Sequence, residues 1–204
     1  MSPEGEVRPL LAEPSGQLDE WPQYTRDGAW IVFTRGVPGG YQRAVYRARP
    51  DGSDTTLLSP FPQDFYENDF WPSPSPDGTR IVFATTREPP DPSRPGIWVR
   101  EIATGVVTRL NVRGYSPRWS PTSDLIAFVS SDFVVTVIRA DGTGLRALST
   151  PGQVYSPLLD WSPDGRWVAA RRGDGPIELF ELETGLTLPL PFTNGLIEPT
   201  WKPR

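Results

Sequence analysis

The sequence predicts an all-β chain in which one four-stranded antiparallel unit is used repeatedly. Three observations carry that expectation. Short apolar runs rich in β-branched and aromatic residues alternate with Gly, Pro and Asp, which is the length and punctuation of strands. No segment sustains a helical period. The stretch DWSPDGRWVAA at 160–170 holds a complete strand-turn-strand signal, and its pattern returns at near-regular intervals. Within it, Pro presets φ at the second turn position, Asp suits the third and Gly the fourth, so Ser162–Gly165 reads as a type I turn joining two strands.

With Trp161 as the anchor of the unit, the equivalent upstream positions are Trp119 in RWSPTSDLIAF, Pro74 in SPSPDGTRIVF and Tyr24 in QYTRDGAWIVF; downstream it is Trp201 in PTWKPR. The steps are 50 (24 to 74), 45 (74 to 119), 42 (119 to 161) and 40 (161 to 201) residues, in or near the range of four-stranded propeller blades. Each turn leads into an apolar second strand: Trp30-Ile31-Val32-Phe33, Arg80-Ile81-Val82-Phe83, Leu125-Ile126-Ala127-Phe128 and Trp167-Val168-Ala169-Ala170. A third strand ends in a polar turn (AVYRARPDG, IWVREIATG, VVTVIRADG, IELFELETG), and a short fourth ends in Leu (DTTLL, VVTRL, LRAL, LTLPL).

The expected architecture is therefore a β-propeller of four-stranded antiparallel blades within a single domain or propeller fragment, 1–204. Four complete blades fall at about 18–59, 68–111, 114–149 and 155–190, with isolated strands at both ends. Aligning EGEVRPLLA with TGVVTRLN puts Gly5 on Gly105 and Leu10 on Leu110, so residues 5–11 read as an isolated outer strand. Residues 197–204 read as an isolated innermost strand.

These repeats resemble the TolB-like, WD-type β-propellers, whose units carry x-Pro-x-Trp-Ser-Pro-Asp-Gly, then an apolar strand and a strand ending in Asp-Gly. The resemblance covers essentially the whole chain. WSPDG at 161–165 is complete; YTRDG, PSPDG, WSPTS and WKPR depart from it, while the Pro two residues before the anchor is kept as Pro22, Pro72, Pro117 and Pro199. The resemblance implies a protein-interaction scaffold in an extracytoplasmic setting, with a ring closed by one blade made from both termini. Two middle strands of such a blade have no counterpart here, which reads as truncation just upstream of residue 3; a four-bladed closed ring is the alternative. Open blade edges would favour self-association through unpaired backbone groups.

Composition narrows the chemistry. The 204 residues include no Cys and no His, so a Ser-His-Asp or Cys-His constellation, a thiolate nucleophile and a His- or Cys-ligated metal are all excluded. No catalytic residue, metal or cofactor is assigned. The net charge of −5 argues against a nucleic-acid surface, which needs a basic stripe. No apolar run reaches the length of a spanning helix, and no membrane insertion is expected.

The candidate site lies in the loops leading into the innermost strands, since blade faces are occupied by packing. Two adjacent repeats share acid followed by aromatic: Asp19-Glu20-Trp21 and Asp69-Phe70-Trp71. The loop SPFPQDFYENDFWPS at 59–73 adds further aromatics and acids. Aromatic anchors within a polar surround suit recognition, so Glu20, Trp21, Tyr66, Glu67, Asp69 and Trp71 are the candidate partner contacts, with Phe61 and Phe70 read equally well as blade packing. The acids predict a basic partner. Trp119, Trp161 and Trp201 read as inter-blade packing, and Asp77 and Asp164 as turn residues. Arg118 and Asp160, each just before its anchor, are candidates to face the channel with opposite charge. The Pro-rich stretch TTREPPDPSRPGIW at 85–98 reads as a solvated loop or a second partner-binding arm.

The expected function is a non-catalytic propeller binding a protein or peptide through loops around the channel. The alternative is the gating propeller of a prolyl-oligopeptidase-like serine peptidase, whose hydrolase domain would lie elsewhere. Polysaccharide lyases with similar repeats depend on His-rich metal sites, which this chain lacks.

Overall fold

The sequence units fold as antiparallel sheets in the computed structural model, which describes residues 18–36, 42–59, 67–87, 93–190 and 201. The first blade comprises β1 (Asp19–Tyr24), β2 (Ile31–Gly36), β3 (Arg43–Ala48) and β4 (Thr56–Leu57), hydrogen-bonded in that order. The second begins with β5 (Asp69–Pro74), β6 (Arg80–Thr85) and β7 (Gly96–Glu101). The third ends with β9 (Leu125–Ser130), β10 (Val135–Arg139) and β11 (Arg146–Ala147). The fourth comprises β12 (Tyr155–Trp161), β13 (Trp167–Arg172), β14 (Ile177–Glu181) and β15 (Thr187–Pro189). All pairings are antiparallel. The expected strands at 5–11 and 197–204 lie outside the described residues, apart from Trp201.

The second and third blades depart from the expectation of separate sheets. One strand, β8 (Val107–Trp119), serves both: residues up to Arg113 pair with β7 as the outermost strand, and residues from Gly114 pair with β9 as the innermost strand. The result is a seven-stranded sheet. Its crossing point is Gly114, where a Cβ would stand 2.4 Å from the Val129 carbonyl oxygen and 2.6 Å from Phe128 Cδ2. Only a residue without a side chain permits that approach.

The cores lie between blades, and strand alternation puts them there. Successive side chains of a strand point to opposite faces, so the second strands β6 and β9 each face both neighbours. Val32 and Val45 of the first blade pack with Ile81, Phe83 and Trp98 of the second. Val82 and Ala84 pack through the other face against Trp119, Ile126 and Phe128 of the third. Ala127, Val129, Val135 and Val137 then meet Tyr155, Leu159, Trp161, Val168 and Phe180 of the fourth. The equivalent Phe33, Phe83 and Phe128 are 2%, 0% and 1% exposed.

The hairpins joining first and second strands share one clamp. The amide N–H of Gly28, Gly78 and Gly165 donates to the carbonyl of Thr25, Ser75 and Ser162, and each glycine has φ near +70°, as a type I turn followed by a left-handed residue requires. The hydroxyls of Thr25, Ser75 and Ser162 donate to Asp27, Asp77 and Asp164, each at 2.6 Å, and accept the N–H of Trp30, Arg80 and Trp167 at 2.9–3.0 Å. The same carboxylates accept the N–H two residues on, each at 3.0 Å. The hydroxyl of Ser75 above all, and then the Thr79 N–H, lower the pKa of Asp77 to about 2.

Two outcomes follow from this packing and these turns. Phe83→Ala removes a ring with no solvent access and should cost about 3–5 kcal/mol by chemical denaturation; a loss under about 1 kcal/mol would contradict the inter-blade register. Because Asp77 titrates lower in the folded chain than in the unfolded one, its contribution is present above about pH 4 and is lost as pH falls toward about 2. In an acid titration followed by tryptophan fluorescence, Asp77→Asn should flatten the stability profile across that window.

Candidate functional site

The innermost strands β1, β5 and β12, and the inner segment of β8 from Gly114, all carry a bulge near their beginning. One extra residue lies between Glu20 and Gln23, between Phe70 and Ser73, and between Tyr115 and Arg118, and two lie between Tyr155 and Leu159. In the first three the bulge residue is left-handed: Trp21 at φ +53°, Trp71 at +50° and Ser116 at +48°. A bulky residue at positive φ is uncommon and costs backbone energy. Bulges re-aim side chains at sheet ends, and here they aim two indoles at each other.

The outcome is a continuous aromatic row across three blades. Trp21 lies 5.2 Å from Trp71 and 6.0 Å from Phe70 between ring centroids. Phe70 and Trp71 are 5.4 Å apart. Trp71 meets Tyr115 edge-on at 6.1 Å, and Tyr115 stacks on Phe133 at 5.9 Å. These spacings are those of favourable edge-to-face and offset pairs. Trp21, Phe70, Trp71 and Tyr115 are half-buried, and Phe133 is exposed. Trp71 also rests on the core between the second and third blades. The Tyr115 hydroxyl donates to the Ser93 carbonyl, and Arg113 Nη1 donates to the Arg94 carbonyl at 2.7 Å, tying the end of the Pro-rich loop to this row.

The carboxylates of the face are held internally. Arg35 donates to both oxygens of Asp19 at 2.7 and 2.6 Å, and Arg43 Nε to Glu20 at 2.7 Å. Arg87 grips Asp69 through two bonds at 3.1 and 2.9 Å and reaches Glu67 at 2.8 Å. Asp69 has no solvent exposure and Arg87 only 8% on its side chain. The expectation that Asp69 touches a partner is therefore corrected: its carboxylate is consumed by a buried bidentate ion pair. The expected attraction for a basic partner is weakened likewise, since Glu20 and Glu67 also face guanidinium groups. Tyr66 lies outside the described residues.

At the opposite, hairpin end the innermost strands converge on a cleft of about 240 Å3 lined by residues of all four blades, among them Gln23, Ser73, Trp119, Asp160 and Trp161. Arg118 and Asp160 are brought together here. Burial raises the pKa of Asp160, against the Arg118 charge and the backbone N–H groups of Trp161 and Trp201. The indole of Trp161 donates to the Arg118 carbonyl at 2.9 Å, and the Trp119 N–H to Ser73 Oγ at 3.0 Å. The anchor tryptophans Trp119 and Trp161 are thus inter-blade ties, each 5% exposed. Among the described residues no three carboxylates are placed to hold a metal ion.

Phe70, Tyr115 and Phe133 complete the row but were not assigned to it from the sequence. A signal for Tyr115 exists, since it stands four residues before Trp119 as Phe70 stands before Pro74. Arg35 and Arg43 arrive from other strands and Arg87 from just beyond β6, at no constant spacing, and the repeat does not reveal them.

Antiparallel four-stranded blades stacked side by side around converging inner strands define a β-propeller of the repeat type. Residues 117–190 match the family model of the anaphase-promoting complex subunit 4 WD40 domain. A TolB homolog of Chlorobium luteolum is 32% identical over 168 residues, 78% of this chain and 36% of that protein. An uncharacterized peptidase of Bacillus subtilis is 32% identical over 108 residues, 46% of this chain and 16% of that protein. The crystallographic fold of a TolB from Agrobacterium tumefaciens superposes with a TM-score of 0.67 at 22% identity, covering 81% of this chain and 62% of that one. The chain is a TolB-like, WD-type β-propeller repeat protein, and it spans well under half the length of these two relatives.

The buried ion pair gives a direct test of how the face is held. Arg87→Met strands the Asp69 carboxylate and should cost about 3–5 kcal/mol, whereas pairing it with Asp69→Asn should restore much of the loss. Equal destabilisation of the single and double variants, by urea denaturation, would show that Arg87 acts through packing alone.

Proposed function

We propose that this propeller is a non-catalytic scaffold that binds a protein or peptide partner through the face where its innermost strands begin. The observation that carries the reading is the aromatic row Trp21–Phe70–Trp71–Tyr115–Phe133, built on left-handed bulges and bordered by carboxylates that arginines already neutralise. Rigid aromatic side chains bury much area at small entropic cost, and they dominate recognition surfaces. The absence of His and Cys supports a binding role over catalysis, because the commonest general base and the thiolate nucleophile are both missing. Partner contact centres on Trp21 and Trp71 with Glu20 and Glu67 at the rim; Asp69 holds the surface from beneath.

The similarity to a peptidase over 108 residues favours one second reading, an accessory propeller that gates a serine-peptidase domain. The two differ in where a ligand is held: the scaffold binds on the aromatic row, and the gate restricts passage through the channel lined by Gln23, Ser73 and Asp160.

Panning a displayed peptide library on the chain, then measuring recovered peptides by calorimetry, tests the scaffold reading. Trp21→Ala and Phe133→Ala should each weaken binding with the thermal midpoint preserved. Trp71→Ala should weaken it by roughly 2 kcal/mol. Trp30→Ala, whose ring lies between Arg47 and Arg49 in the first blade, should leave binding unchanged. Peptides indifferent to all three aromatic variants would overturn the proposal.

A further inference from the structure

The chain contains six Asp-Gly pairs: Asp27-Gly28, Asp51-Gly52, Asp77-Gly78, Asp141-Gly142, Asp164-Gly165 and Asp174-Gly175. Among aspartyl dipeptides Asp-Gly is the most open to backbone isomerisation, because glycine offers no side chain to block attack by its own amide nitrogen on the preceding carboxyl carbon. Whether the reaction proceeds in a folded chain depends on how firmly the two groups are held apart.

The glycine amides do not distinguish the six. Each donates to the carbonyl three residues back, at 2.7–2.9 Å. The carboxylates do. Asp27, Asp77 and Asp164 accept a backbone N–H two residues on at 3.0 Å and a hydroxyl at 2.6 Å. Asp51 and Asp141 accept both the N–H and the hydroxyl of Ser53 and Thr143, at 2.7–2.9 Å. These bonds hold the carboxylate in place across a turn whose glycine has φ of +68° to +87° in all five. They also favour the ionised form, a poor electrophile: the pKa values of Asp27, Asp51, Asp77 and Asp141 are lowered, with side-chain hydrogen bonds the first cause in each.

Asp174 has none of this. Its side chain is fully exposed, and its one described partner is Arg171 at 3.8 Å, beyond hydrogen-bond reach. Gly175 does not take the left-handed conformation of the other five glycines. We propose that Asp174 is the isoaspartate-forming member of these six Asp-Gly pairs, a modification site on the turn between β13 and β14. The Gly175 nitrogen, losing its proton to solvent, bonds to Asp174 Cγ, and a carboxyl oxygen leaves as water to give a five-membered succinimide. Water then opens the ring at either carbonyl. Opening at the α-carbonyl leaves the chain running through the former side chain, with no net oxidation or reduction and no change in mass.

The position gives the reaction a consequence. Tyr155 pairs with Arg172, and a Cβ on Gly173 would stand 3.7 Å from the Val154 carbonyl, so this turn borders the loops leading into the innermost strands. An isoaspartate there lengthens the turn by one backbone atom and moves a carboxylate at the rim of the same end of the propeller. The inference does not depend on the aromatic row being a binding surface.

Ageing the full chain at neutral pH, followed by proteolysis and peptide mapping with an endoproteinase that cuts at aspartate but not at isoaspartate, reads each pair separately. The resistant peptide spanning Asp174 should accumulate about tenfold or more faster than any of the other five, the factor expected when hydrogen bonds to a charged group must first break. In denaturant the six rates should converge, and Gly175→Ala, which keeps the cleavage site and crowds the attacking nitrogen, should slow the accumulation at that peptide alone. Comparable rates in the folded chain, a different leading aspartate, or the same ranking in denaturant would each overturn the proposal.

Discussion

Everything in this fold depends on second strands that are apolar on both faces. Alternation along β6 and β9 sends one side chain to the preceding blade and the next to the following one, while β2 and β13 each meet one described neighbour. That demand explains runs such as Ile81-Val82-Phe83-Ala84, which are hydrophobic without alternation and wholly buried. Packing supplies the attraction, but it is non-directional, so the angle between first and second strands must be set elsewhere. The Ser/Thr-Asp clamp of the hairpins sets it, satisfying two backbone donors that would otherwise be idle at a sharp bend. Where the third blade lacks the aspartate, Ser123 and Ser120 bond to each other at 3.1 Å, a smaller version of the same solution.

What was legible in the sequence is what repeats. The offset of Phe33, Phe83 and Phe128 from Gly28, Gly78 and Ser123 is constant because blade geometry is constant, and their burial could be read directly. The junction between the second and third blades was less legible. Gly114 in Asn111-Val112-Arg113-Gly114-Tyr115 looks like the punctuation of a loop, whereas it is a point of close backbone approach inside one strand. Nothing in Trp21 or Trp71 announces a left-handed backbone either; that conformation is imposed by the bulge. The acids of the face were visible, but their arginines were not, because a side-chain pair between strands follows register and reach rather than spacing in the chain.

Those arginines change the character of the face. Free carboxylates around aromatic rings would make it a long-range attractor for cations. Paired with Arg35, Arg43 and Arg87, the same residues form short-range dipoles whose field decays within the first solvent layers, and selectivity then rests on shape and ring contact. The Asp69–Arg87 pair also fixes the start of β5 to the residue just beyond the end of β6, which holds Phe70 and Trp71 in place while their backbone pays the strain of the bulge.

The continuous strand β8 has a mechanical meaning. A propeller whose blades are joined by flexible connections is a chain of modules, each able to peel away by disrupting only the packing on its flanks. Here the second and third blades are welded along a common backbone, so neither can leave its neighbour without breaking ladder hydrogen bonds on both sides of Gly114. The second and third blades therefore share one continuous ladder, a tie that the first and fourth blades do not share with their neighbours.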